Sequence, residues 1–133
     1  MNKIIAFIVA FAGLLSLTPS TGWAADSAED ILAATGLNGG LIVHLGCGDG
    51  RLTAALGAGP GRLVQGLDAD PKNVQRARGQ VRSAGLYGTV SVDHLAGPRL
   101  PYIDNLVNLV VAESLSGVDM PEVLRVLRPE GVA

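Results

Sequence analysis

Three alternate glycines, Gly46, Gly48 and Gly50, interrupt an apolar run of the chain. Residues 41–45 are rich in β-branched side chains and residues 51–56 favour a helix, so the stretch predicts a strand, a tight turn and a helix. Glycine allows φ > 0 at such a turn and lets a ligand lie against the backbone. The first N–H groups of the helix are expected to be unpaired, which favours an anionic or electron-rich group. We therefore predict a site for a nucleotide-type ligand.

An aspartate stands 20 residues after the second of these glycines. Arg62–Asp68 predicts a strand that ends on this residue, where a carboxylate accepts hydrogen bonds from ribose hydroxyls. A glycine turn with such an acid suits either a dinucleotide or S-adenosylmethionine. The spacing favours S-adenosylmethionine, because the dinucleotide pattern G-x-G-x-x-G requires a third glycine where this chain has Arg51. The sequence also contains no Tyr-x-x-x-Lys pair for NAD-dependent oxidoreduction.

The length and composition predict one globular domain. The chain has 133 residues, of which 48% are hydrophobic and 17% charged, and its net charge is −2. This charge gives no long-range attraction for nucleic acid, which we exclude as a partner. Cys47 is the only cysteine, so no internal disulfide can form. Its place in a tight turn predicts a small buried residue rather than a catalytic thiol, and the sequence predicts no metal site.

Predicted strands and helices alternate along the rest of the chain. A short helix that ends at Gly36 and a longer one between Asp70 and Gly85 are expected from their capping residues. Strands are predicted at residues 41–45, 62–68, 89–92 and 106–112, and a last helix at residues 119–127. This alternation implies right-handed crossovers and an α/β fold, a Rossmann-like doubly wound parallel sheet. The ligand is then expected at the carboxyl ends of the strands.

The first 24 residues have the form of a secretory signal peptide. Lys3 supplies positive charge, residues 4–17 are apolar, and small residues precede the expected cleavage point after Ala24. Cleavage there leaves residues 25–133 as a mature domain in the periplasm or outside the cell. A membrane-spanning helix needs about 20 apolar residues. Contact with a membrane is therefore expected only if the segment stays uncleaved as a signal anchor.

Four motifs in order resemble the N-terminal two-thirds of a class I S-adenosylmethionine-dependent methyltransferase. They lie at residues 44–50, 66–71, 100–111 and 125–131. The resemblance implies that Gly46 and Gly48 contact the methionine and ribose parts of the cofactor. It also implies that Asp68 binds the ribose hydroxyls and that Ala69 lies beside the adenine. The predicted cofactor contacts are His44, Gly46, Cys47, Gly48, Asp68, Ala69 and Glu113.

The chain departs from the family pattern at three positions. The family usually has an acid where His44 and Ala96 stand, and an aspartate is common at the position of Asn108. The resemblance implies methyl transfer to an unknown acceptor by in-line attack, in which the protein aligns and desolvates the reactants. Glu113 is the candidate for contact with the acceptor or cofactor, with a solvated loop acid as the alternative. His94 is expected to be a loop residue rather than a base.

The family fold continues through strands five to seven, so this sequence predicts strands one to four only. An unpaired apolar edge on strand four would then favour pairing with another chain. We therefore expect a fragment of a longer protein, or a chain that needs a partner segment at that edge. An alternative is an exported non-catalytic scaffold or docking module, which His44 and the signal segment favour. The glycine turn and Asp68 favour cofactor binding.

Overall fold

A computed structural model describes the backbone of residues 23–133 and the side chains from residue 27 onward. The predicted signal peptide lies almost entirely outside the described residues and stays a prediction. The described elements, in chain order, are α1 (Trp23–Thr35), β1 (Gly40–Leu45), α2 (Arg51–Leu56), β2 (Arg62–Asp68), α3 (Pro71–Ser83), β3 (Val90–His94), β4 (Val107–Ala112), α4 (Met120–Val126) and β5 (Leu127–Val132). No helix within residues 23–133 has the length and apolar character required to cross a membrane.

The five strands form one parallel sheet in the order β3-β2-β1-β4-β5. This confirms the predicted doubly wound α/β class. Each face of the sheet carries a cluster of buried apolar side chains, because successive residues of a strand point to opposite faces. In β1, Ile42 packs with α2 and α3 on one face. Val43 and Leu45 pack with α4 on the other face. Strands covered on both faces are near-continuously apolar, as β1 and β4 are.

The sheet contains one strand more than the sequence predicts. The resemblance places residues 125–131 at the turn that leads to strand five, whereas Leu127–Val132 is itself β5 and pairs with β4. Leu127 lies opposite Val107 and Val132 lies opposite Leu109, so three extra residues of β5 bulge outward. Because β4 is paired on both sides, the predicted unpaired edge at strand four is wrong. Within the described residues, the outer strands of the sheet are β3 and β5.

The chain order places a crevice at the carboxyl ends of the strands. Strands β1, β2 and β3 are added outward in one direction, and the chain then returns to the other side of β1 to form β4. Ligands of open α/β sheets bind where the strand order reverses in this way. The loops that follow β1, β2, β3 and β4 therefore surround the candidate site.

Candidate functional site

The glycine turn after β1 leaves one face of the backbone open. Gly46, Gly48 and Gly50 all have positive φ, at 66°, 57° and 82°, a region that L side chains rarely occupy. A β-carbon on Gly46 would lie 3.1 Å from the carbonyl oxygen of Ser114, so this glycine packs against the loop after β4. A β-carbon on Gly48 would meet no described atom within 4 Å. Gly48 is therefore the position at which a ligand can lie directly on the backbone.

The backbone N–H groups of this turn are paired inside the protein. Those of Gly46 and Cys47 donate to the carbonyl oxygen of Leu67, at 2.8 and 3.3 Å, and that of Gly50 donates to the carbonyl oxygen of Cys47 at 3.0 Å. The N–H of Gly48 donates to Asp68 Oδ2 at 3.0 Å. The prediction of unpaired N–H groups concerned the start of α2, at Arg51. There the N–H of Arg51 donates to Asp49 Oδ1 at 3.0 Å, and unpaired N–H groups in the rest of the first helical turn stay a prediction.

Asp68 ties the glycine turn to the end of β2. Its Oδ2 accepts from the N–H of Gly48, and its Oδ1 accepts from the N–H of Asp70 at 2.8 Å. The side-chain amide of Asn73 lies 3.3 Å from both carboxylate oxygens. A carboxylate has about four acceptor positions, and the two long contacts are the ones that ligand hydroxyls can replace most easily. The carboxylate is 6% exposed, beside the open face of Gly48.

His44 lies beneath the turn, in the layer between the sheet and α2. It is 1% exposed, and its Nδ1 is hydrogen-bonded to Thr53 Oγ1 at 2.8 Å. Burial lowers the pKa of His44 to about 4, against an opposing effect of the Asp68 carboxylate. Within the described part of the chain, Nε2 of His44 has no hydrogen-bond partner. His44 is therefore a neutral buried imidazole and differs in charge from the acid that the family usually has.

A cavity of about 340 Å³ opens at the ends of β2, β3 and β4. Its volume is within the range of small-molecule sites, which hold about 300 to 1,000 Å³. Of the seven predicted contacts, Ala69 lies in its wall. The other six do not: His44, Gly46, Cys47, Gly48, Asp68 and Glu113. Glu113 is exposed on the loop after β4. The lining residues are Ala69, His94, Leu95, Ala96, Gly97, Pro98, Ser116 and Gly117.

The sequence analysis did not assign His94 to the site. Strand β3 extends to His94, two residues beyond the predicted strand end, and places this residue opposite Asp68 in the register with β2. Nε2 of His94 lies 3.0 Å from the carbonyl oxygen of Ala69. The alternation of buried and less buried side chains covers only Val90 to Val92, since Asp93 and His94 are both exposed, so this pattern gives no signal for His94.

An ion-pair cluster on α4 fixes the loop that follows the cavity residues. Glu122 Oε1 accepts from the N–H of Leu100 at 2.8 Å, and Arg125 donates to the carbonyl oxygens of Leu100 and Tyr102 at 3.2 and 2.9 Å. Hydrogen bonding to Arg125 lowers the pKa of Glu122 to about 2. Arg125 also pairs with Asp104 at 2.7 Å. These contacts hold the chain between β3 and β4 in one conformation beside the cavity.

Asn108 joins β4 to the start of β1. Its Oδ1 accepts from the N–H of Leu41 at 3.0 Å, and Gly40 leaves the space that this amide occupies. Asn108, at which the chain departs from the family pattern, therefore has a structural role at the amino ends of the strands, away from the cavity. Among residues 23–133, no three His, Cys, Asp or Glu side chains are grouped so that they could hold a metal ion.

Cys47 is buried against the neighbouring strand, and we predict that it is chemically inert. It is 4% exposed, and its side chain lies where a β-carbon on Gly66 would approach within 3.1 Å. Burial raises the pKa of the thiol to about 12, and the thiolate is the reactive form. Labelling with a thiol-specific disulfide reagent should be at least about tenfold slower in the folded chain than in urea. Equal labelling rates would contradict this burial.

The comparisons with known proteins agree with this geometry. A family model described as a methyltransferase domain matches residues 42–131. A putative S-adenosylmethionine-dependent methyltransferase from Methanococcus maripaludis superposes with a TM-score of 0.74 at 22% identity, over 83% of this chain and 54% of that one. A methyltransferase from Aquifex aeolicus gives 0.65 at 25% identity, over 77% and 58% of the two chains. No curated protein matches the sequence significantly.

One structurally similar protein is a cyclase rather than a methyltransferase by name. The [4+2]-cyclase SpnF superposes with a TM-score of 0.69 at 27% identity, over 79% of this chain and 41% of that one. This chain thus spans about half the length of the solved structures that it matches. The family model itself covers more than two thirds of the 133 residues, and on this match the chain belongs to the methyltransferase domain family.

Proposed function

We propose that this chain is the S-adenosylmethionine-binding part of a methyltransferase. The observation that carries the proposal is the position of Asp68. Its carboxylate accepts from the N–H of Gly48, where the turn is open, and the next residue, Ala69, lies in the cavity wall. The proposal places the ribose at this carboxylate, the adenine toward the cavity and the methionine part toward the glycine turn. Bound S-adenosylmethionine supplies a sulfonium methyl group to an acceptor atom that attacks in line.

The pairing of the turn N–H groups supports this cofactor over a dinucleotide. A pyrophosphate uses N–H donors of the glycine turn and of the helix start. In this turn the N–H groups of Gly46, Cys47, Gly48 and Gly50 already have partners, which leaves fewer donors for a pyrophosphate. A ribose next to a sulfonium carries no such anion. The contribution of the chain to methyl transfer is then to bind and orient the cofactor and to exclude water. We assign no general base to Glu113, which is exposed outside the cavity.

Two wider features of the proposal rest on the length of the relatives and on the N-terminal sequence. The matched part of this chain covers only 54% and 41% of two of the solved structures, so we propose that further chain, in the same protein or in a partner, pairs with β5. Residues 1–24 support export to the periplasm or beyond by a cleaved signal peptide.

The test is a calorimetric titration of S-adenosylhomocysteine into the folded chain. We expect binding, and a loss of about tenfold in affinity in Asp68→Asn, because the substitution removes the charge that strengthens hydrogen bonds from ribose hydroxyls. Asp70→Asn is the matched control: it removes the same charge two residues away, and asparagine still caps α3. It should bind as the unmodified chain does.

Other outcomes would contradict the proposal in different ways. A chain that is folded by circular dichroism and binds no S-adenosylhomocysteine would support the non-catalytic scaffold. Equal losses in Asp68→Asn and Asp70→Asn would indicate a general effect of charge and would remove Asp68 from the site.

A further inference from the structure

The charges of the chain are distributed unevenly along its sequence. Residues 71–92, which contain α3 and the start of β3, include four Lys and Arg residues and no Asp or Glu. The other residues include six Lys and Arg and twelve Asp and Glu. The net charge of −2 therefore combines a positive segment with an acidic remainder. Such an asymmetry favours contact of one surface of the protein with an anionic partner.

Three of the four cations lie on the outward side of α3. The buried side chains of this helix lie along one side, whereas Lys72, Arg76 and Arg82 fall within an arc of about 120° on the opposite side and are exposed. Arg76 donates to Asn73 Oδ1 at 2.6 Å, and this amide carries no charge. Within the described part of the chain, none of the three cations pairs with a carboxylate. Their charge is therefore available to a partner outside the domain.

An exposed aromatic side chain lies beside these cations. Tyr87 is 59% exposed, and the guanidinium carbon of Arg82 lies 5.8 Å from the centroid of its ring. This cation–π contact holds Arg82 next to the tyrosine. The fourth cation, Arg78, is neutralised by a 3.2 Å ion pair with Asp93 at the edge of the sheet. The basic face of α3 therefore consists of Lys72, Arg76, Arg82 and Tyr87.

We propose that the basic face binds the anionic headgroups of a lipid membrane. Lysine and arginine are attracted to such headgroups, and tyrosine suits the membrane surface because its ring is apolar and its hydroxyl is polar. Long, flexible side chains on the convex side of a helix can reach a flat surface together. The acidic residues belong to other segments of the chain, so a negatively charged surface orients the domain with α3 toward itself.

Two observations favour lipid over nucleic acid as the anionic partner. Single-stranded nucleic acid follows a positively charged groove, whereas the basic face is the convex side of one helix. Residues 4–17 form the apolar run of a signal sequence, which directs a chain to a membrane. The basic face lies outside that run, so its contact with lipid does not require an uncleaved signal anchor.

The test measures binding of the full chain to sedimented lipid vesicles. One set of vesicles is an equal mixture of phosphatidylglycerol and phosphatidylcholine, and the other is phosphatidylcholine alone. The apolar N-terminal run can bind both, so the readout is the ratio of the two affinities. Each Lys or Arg at an anionic surface contributes about fivefold in affinity, so three cations predict a ratio of about a hundred. The ratio should decrease as salt is added, because salt screens exposed charges.

Two double variants locate the effect. Arg76→Gln combined with Arg82→Gln should lower the ratio by about 25-fold. The matched control combines Arg99→Gln with Arg128→Gln, which removes the same charge from exposed positions outside α3 and should change the ratio by less than about twofold. All four positions are exposed, so the variants should fold, which circular dichroism checks.

Three results would overturn the proposal. The first is a ratio near one for the unmodified chain. The second is an equal decrease in the two double variants, which would indicate an effect of net charge alone. The third is binding of a single-stranded oligonucleotide without any preference for anionic vesicles, which would assign the basic face to nucleic acid. None of these measurements uses S-adenosylhomocysteine, so the proposed function is tested separately.

Discussion

Replacing Gly50 with alanine is expected to destabilise the domain by about 3 kcal/mol. The new β-carbon would lie 2.6 Å from Cα and 2.7 Å from Cβ of Ala77 in α3, distances at which atoms overlap. Cα of Ala77 belongs to the backbone of α3, so a change of side-chain rotamer cannot relieve this overlap. The positive φ of Gly50, at 82°, adds strain of about 1 to 2 kcal/mol for a residue with a side chain. Overpacking adds about 1 to 3 kcal/mol.

Two other glycines provide matched controls for this substitution. Gly48→Ala has the same turn and a positive φ, but its β-carbon meets nothing within 4 Å, so only the strain of about 1 to 2 kcal/mol is expected. Gly79→Ala lies inside α3 with open space around it and should stabilise the domain by about 0.5 to 1 kcal/mol.

Urea unfolding followed by circular dichroism measures all three free energies. We expect the order Gly79→Ala, unmodified chain, Gly48→Ala and Gly50→Ala, from most to least stable. Equal losses of unfolding free energy in Gly48→Ala and Gly50→Ala would mean that overlap with Ala77 adds nothing to the cost of a side chain at position 50. The contact of Gly50 with α3 matters for function because it positions the turn in which the N–H of Gly48 donates to Asp68.

The strands were predictable because their signal is local. The bounds predicted for β2 are those of the structure, and β1 and β4 differ from prediction by one residue at one end. Strand β5 could not be predicted in this way. Its six residues include Pro129, and Glu130 has a φ of 66°, features that are typical of a turn. Only the pairing of its ends with β4 makes it a strand, and that pairing is a tertiary effect.

The positions of the candidate site were predicted better than its hydrogen bonds. The sequence correctly brings the glycine turn and the end of β2 together, because the carboxyl ends of adjacent parallel strands meet. It could not show that Asp68 accepts from Gly48, since that contact depends on the exact register of the turn. The two residues by which β3 extends beyond its predicted end include His94, which lines the cavity.

His44 should make the domain sensitive to acid between about pH 6.5 and 4. Burial lowers the pKa of the folded state to about 4, whereas an unfolded histidine has a pKa of about 6.5. Between these values the unfolded state binds a proton and the folded state does not. Stability is therefore complete above pH 6.5 and falls as the pH decreases toward 4. The full loss is about 3 kcal/mol, since one pKa unit corresponds to about 1.4 kcal/mol.

The variant that isolates this effect is His44→Gln, which can still hydrogen-bond Thr53 but does not titrate. Urea unfolding of both proteins from pH 7.5 to 4 should show a free-energy difference that changes by about 3 kcal/mol, in the direction that disfavours the unmodified chain in acid. A constant difference between the unmodified chain and His44→Gln would show that His44 is solvated or charged when folded. The buried position of a neutral imidazole beneath the glycine turn, and with it the charge contrast with the usual acid of the family, would then be wrong.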